Sequence, residues 1–172
     1  MTSWGDTAAE RAVPLPCDAL VPGDALVLHR AIDVAAPAAV TFRWLCQLRV
    51  APYSYDLLDN GGRRSPRTLT PGVERLAVGQ RMCRIFTLGS VEPGVQLTLK
   101  LTSPRARQAF GDVAITYLVT PTGPDTSRVL TRVRSAGLDP LRRRALAWGD
   151  LIMMRKQLRT FASLAERAAT AA

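Results

Sequence analysis

The C-terminal stretch from Asp139 to about Arg167 limits the possible folds of this chain more than any other segment. Asp139 followed by Pro140 is typical of a helix start, because the aspartate can cap free amides and proline lacks only an amide that the first turn leaves unpaired. Apolar residues then recur at steps of three and four, on one face of a helix: Leu151, Met154, Leu158, Phe161 and Ala165. At about 1.5 Å per residue the helix is roughly 40 Å long, so it needs a broad apolar surface to pack on.

Shorter segments in which apolar and polar side chains alternate supply an apolar surface for this helix. Proline and glycine turns separate several of them, which is typical of antiparallel strands with short connections. The predicted strands are Asp24–Val34, Arg81–Leu88, Val95–Leu101, Val113–Thr120 and Thr126–Ser135, and a helix is predicted from Ala38 to Leu48. We therefore expect an α+β fold in which a curved antiparallel sheet wraps around the long C-terminal helix, with short helices after the first strand.

Size and composition indicate one folded domain. The chain has 172 residues, 47% of them hydrophobic, which is enough to bury a core without disulfides or metals. Prolines interrupt residues 1–22, so we expect a loosely ordered leader there and a single domain over residues 23–169. The N-terminus lacks a signal-peptide core, and no apolar run approaches the ~20 residues of a membrane span, so no stable membrane insertion is expected.

The cysteines give no sign of a cross-linked or metal-bound protein. Cys17, Cys46 and Cys83 lie far apart and form no CxxC pair, which argues against a disulfide framework or a zinc site. This usage fits a reduced, cytoplasmic setting. No metal-ligand cluster or phosphate-cradling motif is present in the sequence, so neither a metal nor a cofactor is predicted.

The chain is strongly basic, with a net charge of +9. This excess is compatible with an anionic partner or with a surface that is simply rich in arginine. Arg132 and Arg134 lie opposite the apolar face of the last strand, where we expect them to meet solvent. Because the sequence has neither a zinc-finger spacing nor an aromatic RNA-binding signature, no nucleic-acid partner is expected.

The segment YSYD, Tyr53–Asp56, is the best candidate for chemistry. A hydroxyl polarised by a neighbouring carboxylate, such as Tyr55 beside Asp56, can donate a proton to a carbonyl oxygen. A buried carboxylate with a raised pKa can remove the proton next to that carbonyl. These are the two operations of an aldol cyclisation or a dehydration. The alternative is structural, with the rings packing a helix against the sheet rim and Asp56 capping a turn.

Arg30 is the second catalytic candidate, because it interrupts the apolar face of the first strand. A buried guanidinium must be paired, since an isolated buried charge is very unfavourable. Arg30 could bind a ligand carboxylate or steady developing negative charge, or it could pair internally with Asp56 or Asp150, which we favour. Arg155 flanks the apolar stripe of the C-terminal helix, either at a pocket mouth or in solvent.

An apolar pocket is predicted between the sheet and the C-terminal helix, because one helix cannot fill a curved sheet with its own side chains. Trp44 could line the pocket or simply pack in the core. Gln47 could present its amide to a ligand or face solvent. The candidate ligand-binding residues are Trp44, Gln47, Tyr53, Tyr117, Met154, Arg155 and Leu158.

Several segments resemble the START-like helix-grip (SRPBCC) superfamily, and in particular its bacterial polyketide cyclase/dehydrase-like branch. The resemblance covers most of residues 28–165, and one departure is Gln80, where the family often has an acid. The matching segments are RAIDVAAPAAV (Arg30–Val40), WLCQ (Trp44–Gln47), YSYDLLDN (Tyr53–Asn60), LAVGQ (Leu76–Gln80) and SRVLTRVRS (Ser127–Ser135). The resemblance implies a deep cavity that holds a hydrophobic small molecule, such as a lipid or polyketide.

The resemblance does not fix a reaction, because the superfamily includes carriers, sensors and cyclases. The leading hypothesis is a carrier or sensor that holds a hydrophobic small molecule between the sheet and the C-terminal helix. The alternative is a polyketide cyclase or dehydratase in which Tyr55 and Asp56 act as acid and base and Arg30 stabilises charge. The second alternative is a basic interaction module for an anionic partner. The sequence gives no indication of oligomeric state.

Overall fold

A seven-stranded sheet is the largest element of the computed structural model, which describes residues 1–171. Its strands lie in the order β1-β2-β7-β6-β5-β4-β3, and every neighbouring pair is antiparallel except β1 and β2, which are parallel. The strands are β1 (Ser3–Trp4), β2 (Leu26–Val34), β3 (Arg81–Met82), β4 (Phe86–Glu92), β5 (Gln96–Leu101), β6 (Asp112–Gly123) and β7 (Thr126–Ala136). The single strand predicted over Arg81–Leu88 is divided, because Cys83 and Arg84 adopt left-handed backbone angles, φ 41° and 63°.

Six helices accompany the sheet in the described residues: α1 (Ala8–Ala12), α2 (Pro16–Leu20), α3 (Ala38–Cys46), α4 (Asp56–Asp59), α5 (Pro104–Phe110) and α6 (Pro140–Thr170). A 3₁₀ turn over Gln47–Arg49 extends α3. The helix α6 begins as predicted, with the Asp139 side chain accepting hydrogen bonds from the amides of Leu141 and Arg142, both at 3.0 Å. The predicted α+β helix-grip architecture is confirmed. Across residues 1–171, none of the helices combines the length and apolar character that a membrane crossing requires.

The core lies between one face of the sheet and the second half of α6. Met154, Leu158, Phe161 and Ala165 are buried there, as the apolar stripe predicts. Before Met154, only Ala147 of α6 is buried, and Trp148 leaves half of its surface exposed. The helix therefore packs closely on the sheet from Met154 onward and less closely before it.

Residues 1–22 differ from the expected loose leader, because they form β1, α1 and α2. β1 adds an edge strand to the sheet, and α2 packs on the sheet face opposite α6, where Cys17 and Val21 join a small apolar cluster with Ala31 and Leu130. The first helix has a complete capping box, in which Thr7 and Glu10 satisfy each other's backbone amides. Long-range contacts with the sheet, which local sequence patterns do not report, hold this segment in place.

The contacts that hold the N-terminal segment are ion pairs with arginines of β7. Asp18 lies 2.6 Å from a guanidinium nitrogen of Arg132, and Glu10 lies 2.7 Å from one of Arg128. Arg134 donates a hydrogen bond of 2.7 Å to the carbonyl of Val21. Arg132 is on the outer face, as predicted, but it is only 4% exposed because the N-terminal segment covers it.

Replacing Asp18 with asparagine should lower the free energy of unfolding by about 2 kcal/mol, because it leaves the buried Arg132 guanidinium without a counter-charge. The matched control is Asp33→Asn, which removes an 83% exposed partner of Arg128 and should cost less than about 0.5 kcal/mol. Urea unfolding of both variants measures the two values. Equal effects of the two substitutions would contradict the clamping role of Asp18.

Candidate functional site

A largely apolar pocket of about 400 Å³ lies between the sheet, α5 and the first half of α6. Twelve of its lining residues are apolar, and only Arg142 and Asp150 are charged. The residues that form it are Ile85, Phe86, Leu101, Ala109, Phe110, Val113, Ile115, Val133, Arg142, Ala145, Leu146, Gly149, Asp150 and Met153. Its volume falls in the range of small-molecule sites.

Small residues of α6 form part of the helix wall of the pocket. Ala145 and Gly149 line the pocket from the helix side, and Val113, Ile115 and Val133 line it from the sheet. A Cβ atom at Gly149 would meet no heavy atom within 4 Å. Ala145 and Gly149 therefore add little side-chain volume to this wall of the pocket.

Arg30 and Asp150 form a buried ion pair beside the pocket. The Arg30 side chain is fully buried, and its Nη2 lies 2.8 Å from Oδ2 of Asp150. Its Nη1 donates a hydrogen bond of 2.8 Å to the carbonyl of His29. The expectation that Arg30 pairs internally is confirmed, with Asp150 as the partner rather than Asp56.

The polar atoms of this pair are incompletely satisfied. No aligned hydrogen-bond partner among the described residues is found for three of its buried atoms: Oδ2 of Asp150, and Nε and Nη2 of Arg30. The 2.8 Å contact between Nη2 and Oδ2 is therefore an ion pair of poor hydrogen-bond alignment. Burial raises the pKa of Asp150 from 3.8 to about 6, although the neighbouring Arg30 charge opposes that shift. Asp150 is thus a desolvated carboxyl at the edge of an apolar pocket.

Most of the predicted ligand-binding residues lie in the closed half of the core, where they contact one another. The Tyr117 hydroxyl donates a 2.7 Å hydrogen bond to Oε1 of Gln157 and lies 3.8 Å from the sulfur of Met154. Trp44 and Leu158 are also buried in this core. None of these side chains lines the described pocket, because large apolar side chains fill the space around themselves.

Gln47 and Tyr53 form a buried polar cluster instead of an open ligand site. The Gln47 side-chain amide donates to the Tyr53 hydroxyl at 2.8 Å and to the carbonyl of Thr68 at 2.9 Å. Burial raises the pKa of Tyr53 to about 12, and its ring packs on Phe161 with centroids 4.8 Å apart. These hydrogen bonds tie the segment after α3 to the following loop and involve no pocket-lining residue.

Tyr55 and Asp56 stand at the start of α4, away from the pocket lining. Both oxygens of Asp56 accept hydrogen bonds from Ser65, one from its amide at 2.9 Å and one from its hydroxyl at 2.5 Å. This matches the structural alternative in which Asp56 fixes a turn. Tyr55 is 40% exposed and lines a different depression.

That second depression is basic and about 590 Å³ in volume. Four of its lining residues are cationic, and none of the ion pairs found in residues 1–171 involves them. Two of the guanidinium groups, those of Arg155 and Arg159, lie 5.5 and 5.8 Å from the ring centroid of Trp4. Its lining is Tyr55, Arg67, Ile152, Arg155, Lys156, Arg159, Thr160 and Ser163. Arg155 therefore lies at this depression and does not line the apolar pocket.

The described part of the chain contains no group of three His, Cys, Asp or Glu residues that could hold a metal ion. The three cysteines are free thiols, and Cys17 and Cys46 are buried. Burial raises the pKa of Cys46 to about 12, so its thiol stays protonated at neutral pH.

As the pH rises from about 4 to about 6, the free energy of unfolding of the wild type should fall relative to that of the double variant Arg30→Met, Asp150→Leu, which lacks the carboxyl. In this range the folded protein binds more protons at Asp150 than the unfolded chain does, because the folded pKa is raised. The stabilising protonated form is present below the ordinary pKa and is lost as the carboxyl ionises, at a cost of at most about 3 kcal/mol. Urea titrations of both proteins across this range measure the wild-type free energy of unfolding minus that of the variant. A value that rises with pH would contradict the raised pKa.

The chain matches solved structures, although no protein-family model and no curated protein sequence matches it. Protein MLL2253 from Mesorhizobium loti is 17% identical with a TM-score of 0.53, over 82% of this chain and 97% of that one. The Zhui aromatase/cyclase from Streptomyces sp. R1128 is 16% identical with a TM-score of 0.52, over 84% and 94%. The di-domain ARO/CYC BexL from the BE-7585A biosynthetic pathway is 16% identical with a TM-score of 0.53, over 81% of this chain. This chain spans 46% of that di-domain protein.

At these identities the likeness concerns the fold. It covers 82%, 81% and 84% of this chain in the three structures. The chain has the helix-grip fold, which it shares with these solved structures.

Proposed function

We propose that the protein binds an apolar small molecule in the pocket between the sheet and the first half of α6, as a carrier or sensor. The observation that carries this proposal is the pocket itself, with twelve apolar lining residues around about 400 Å³. The fold shared with solved aromatase/cyclases supports it, because those proteins have the same sheet-and-helix frame.

The area that such a ligand buries is sufficient for useful affinity. A ligand that buries roughly 300 Å² of apolar surface gains about 7 kcal/mol from the hydrophobic effect. The costs of lost translation, rotation and side-chain freedom reduce this gain. We therefore expect dissociation constants in the micromolar range or weaker for an apolar ligand without polar contacts.

The cyclase or dehydratase alternative has less support from the geometry. It requires Tyr55 and Asp56 to reach a bound substrate, whereas Asp56 accepts two hydrogen bonds from Ser65 and neither residue lines the apolar pocket. Arg30 is occupied by Asp150 and by the carbonyl of His29.

Binding of an anionic partner is a second candidate function, supported by the basic depression on α6. Four cations converge there without a carboxylate within ion-pair distance among the described residues, and three hydroxyl-bearing side chains accompany them. Arginine and lysine in such an arrangement suit phosphate-bearing surfaces.

The substitution Gly149→Phe should lower the affinity for an apolar dye such as Nile red at least tenfold. The new ring enters open space on the pocket wall and occupies the volume that the ligand needs. The helix should tolerate the change, since glycine is among the poorest helix formers. Fluorescence titration measures the affinity, and native mass spectrometry of the freshly purified protein shows whether an apolar molecule is lost in the variant.

The matched control is Ile152→Phe, which adds a ring on the same helix at a position that is 54% exposed and outside the pocket. Its dye affinity should stay within twofold of the wild-type value. Undiminished dye binding by the Gly149→Phe variant would place the dye elsewhere and reject the pocket as its site.

The triple variant Arg155→Gln, Lys156→Gln, Arg159→Gln should bind vesicles containing phosphatidylglycerol at least tenfold more weakly than the wild type. The depression then loses three of its four positive charges. Wild-type binding should also fall steeply as salt rises, because exposed charges are screened. Vesicle co-sedimentation over a salt series measures both effects.

The control for this series removes three exposed arginines elsewhere, at Arg43, Arg81 and Arg105. It has the same net charge as the triple variant and should retain most of the binding. Equal losses in the two triple variants would show a response to net charge alone. Absence of wild-type binding to these vesicles at low salt would remove this candidate function.

A further inference from the structure

We propose that the Asp150 carboxylate is the polar anchor of the pocket, so that the ligand is an apolar molecule carrying a hydroxyl or N–H donor. This inference rests on the proposed ligand-binding function and adds to it the chemical class of the ligand. A phenol or an alcohol on a hydrocarbon frame fits this description.

The first argument is the unsatisfied state of Asp150. Its side chain exposes only 8% of its surface and lines the pocket. Oδ2 is sealed against Arg30, whereas Oδ1 is not among the sealed atoms and takes part in no hydrogen bond among the described residues. Buried polar atoms are normally hydrogen-bonded, and an exception calls for an explanation. A donor on a bound ligand would supply the contact that the protein does not.

The second argument is the chemistry of the surrounding wall. Asp150 and Arg142 are the only charged residues in the lining, and Arg142 is already paired with Asp139 at 3.3 Å. The Arg142 side chain is 61% exposed, whereas that of Asp150 is not. A ligand that enters the apolar part of the pocket therefore meets one desolvated polar group, the Asp150 carboxyl.

The third argument concerns the sign of the charge that a ligand meets in the pocket. Arg30 lies behind Asp150 and does not line the pocket, so a ligand approaches the negative member of the pair. A carboxylate only accepts hydrogen bonds, and it repels an anionic group brought next to it. The arrangement therefore favours a neutral donor over a ligand carboxylate or phosphate.

The test compares 2-naphthol with 2-methylnaphthalene at neutral pH, because the two differ in a hydroxyl against a methyl group of similar size. The measured quantity is the ratio of their dissociation constants for the wild type and for the double variant Arg30→Met, Asp150→Leu. This variant removes the pair together, since loss of one partner alone would leave an uncompensated buried charge. We expect the preference for 2-naphthol to fall at least tenfold in the double variant, because a site built for a hydroxyl rejects an analogue that lacks it.

The control variant is Met153→Leu, which alters the apolar wall next to Asp150. It should change the affinity for both naphthalenes alike and leave their ratio unchanged. A ratio that falls as much in this variant as in the double variant would overturn the anchor.

The remaining outcomes separate the two proposals. If both naphthalenes bind the wild type with the ratio seen in the double variant, the anchor is wrong and ligand binding in the pocket stands. If neither naphthalene nor Nile red binds the wild type, the pocket is not a ligand site and both proposals fail.

Discussion

The structure depends on a mismatch between the length of α6 and the length of its buried face. The helix has 31 residues, but it is closely packed on the sheet only from Met154 onward. The space of about 400 Å³ beside the earlier part of the helix is a pocket that is open to solvent. Water in this pocket meets a largely apolar wall, and apolar surface is more stable when it is removed from water.

The Arg30–Asp150 pair lies at the boundary between the closed and open halves of the interior. Buried pairs of this kind often contribute no more stability than well-packed apolar residues of similar volume, because two charges must be desolvated. Here the pair leaves polar atoms unsatisfied, which weakens it further as a stabilising contact. The pair also affects the chemistry of the pocket, because it places the buried Asp150 carboxyl in a wall whose other charged residue, Arg142, is largely exposed.

The sequence predicts those structural elements that depend on local residue patterns or on the periodic spacing of apolar residues. The long helix, its Asp139 cap and most strands follow from spacing, and internal pairing of Arg30 follows from its place on an apolar face. The pocket lining is missed because large apolar residues mark filled space, whereas the pocket is defined by small ones such as Gly149. The packing of residues 1–22 is missed because Asp18 reaches Arg132, 114 positions away, and no local pattern reports that contact.

The covering of the β7 arginines by the N-terminal segment has a consequence for the electric field around the protein. Acidic groups neutralise the guanidinium charges on the outer sheet face, while the cations on α6 stay uncompensated among the described residues. The arginines of β7 therefore lie in ion pairs, whereas, within residues 1–171, the four cations of the basic depression do not. A negatively charged object within a Debye length, about 10 Å at 0.1 M salt, is attracted more strongly to this depression than to the paired arginines of the outer sheet face.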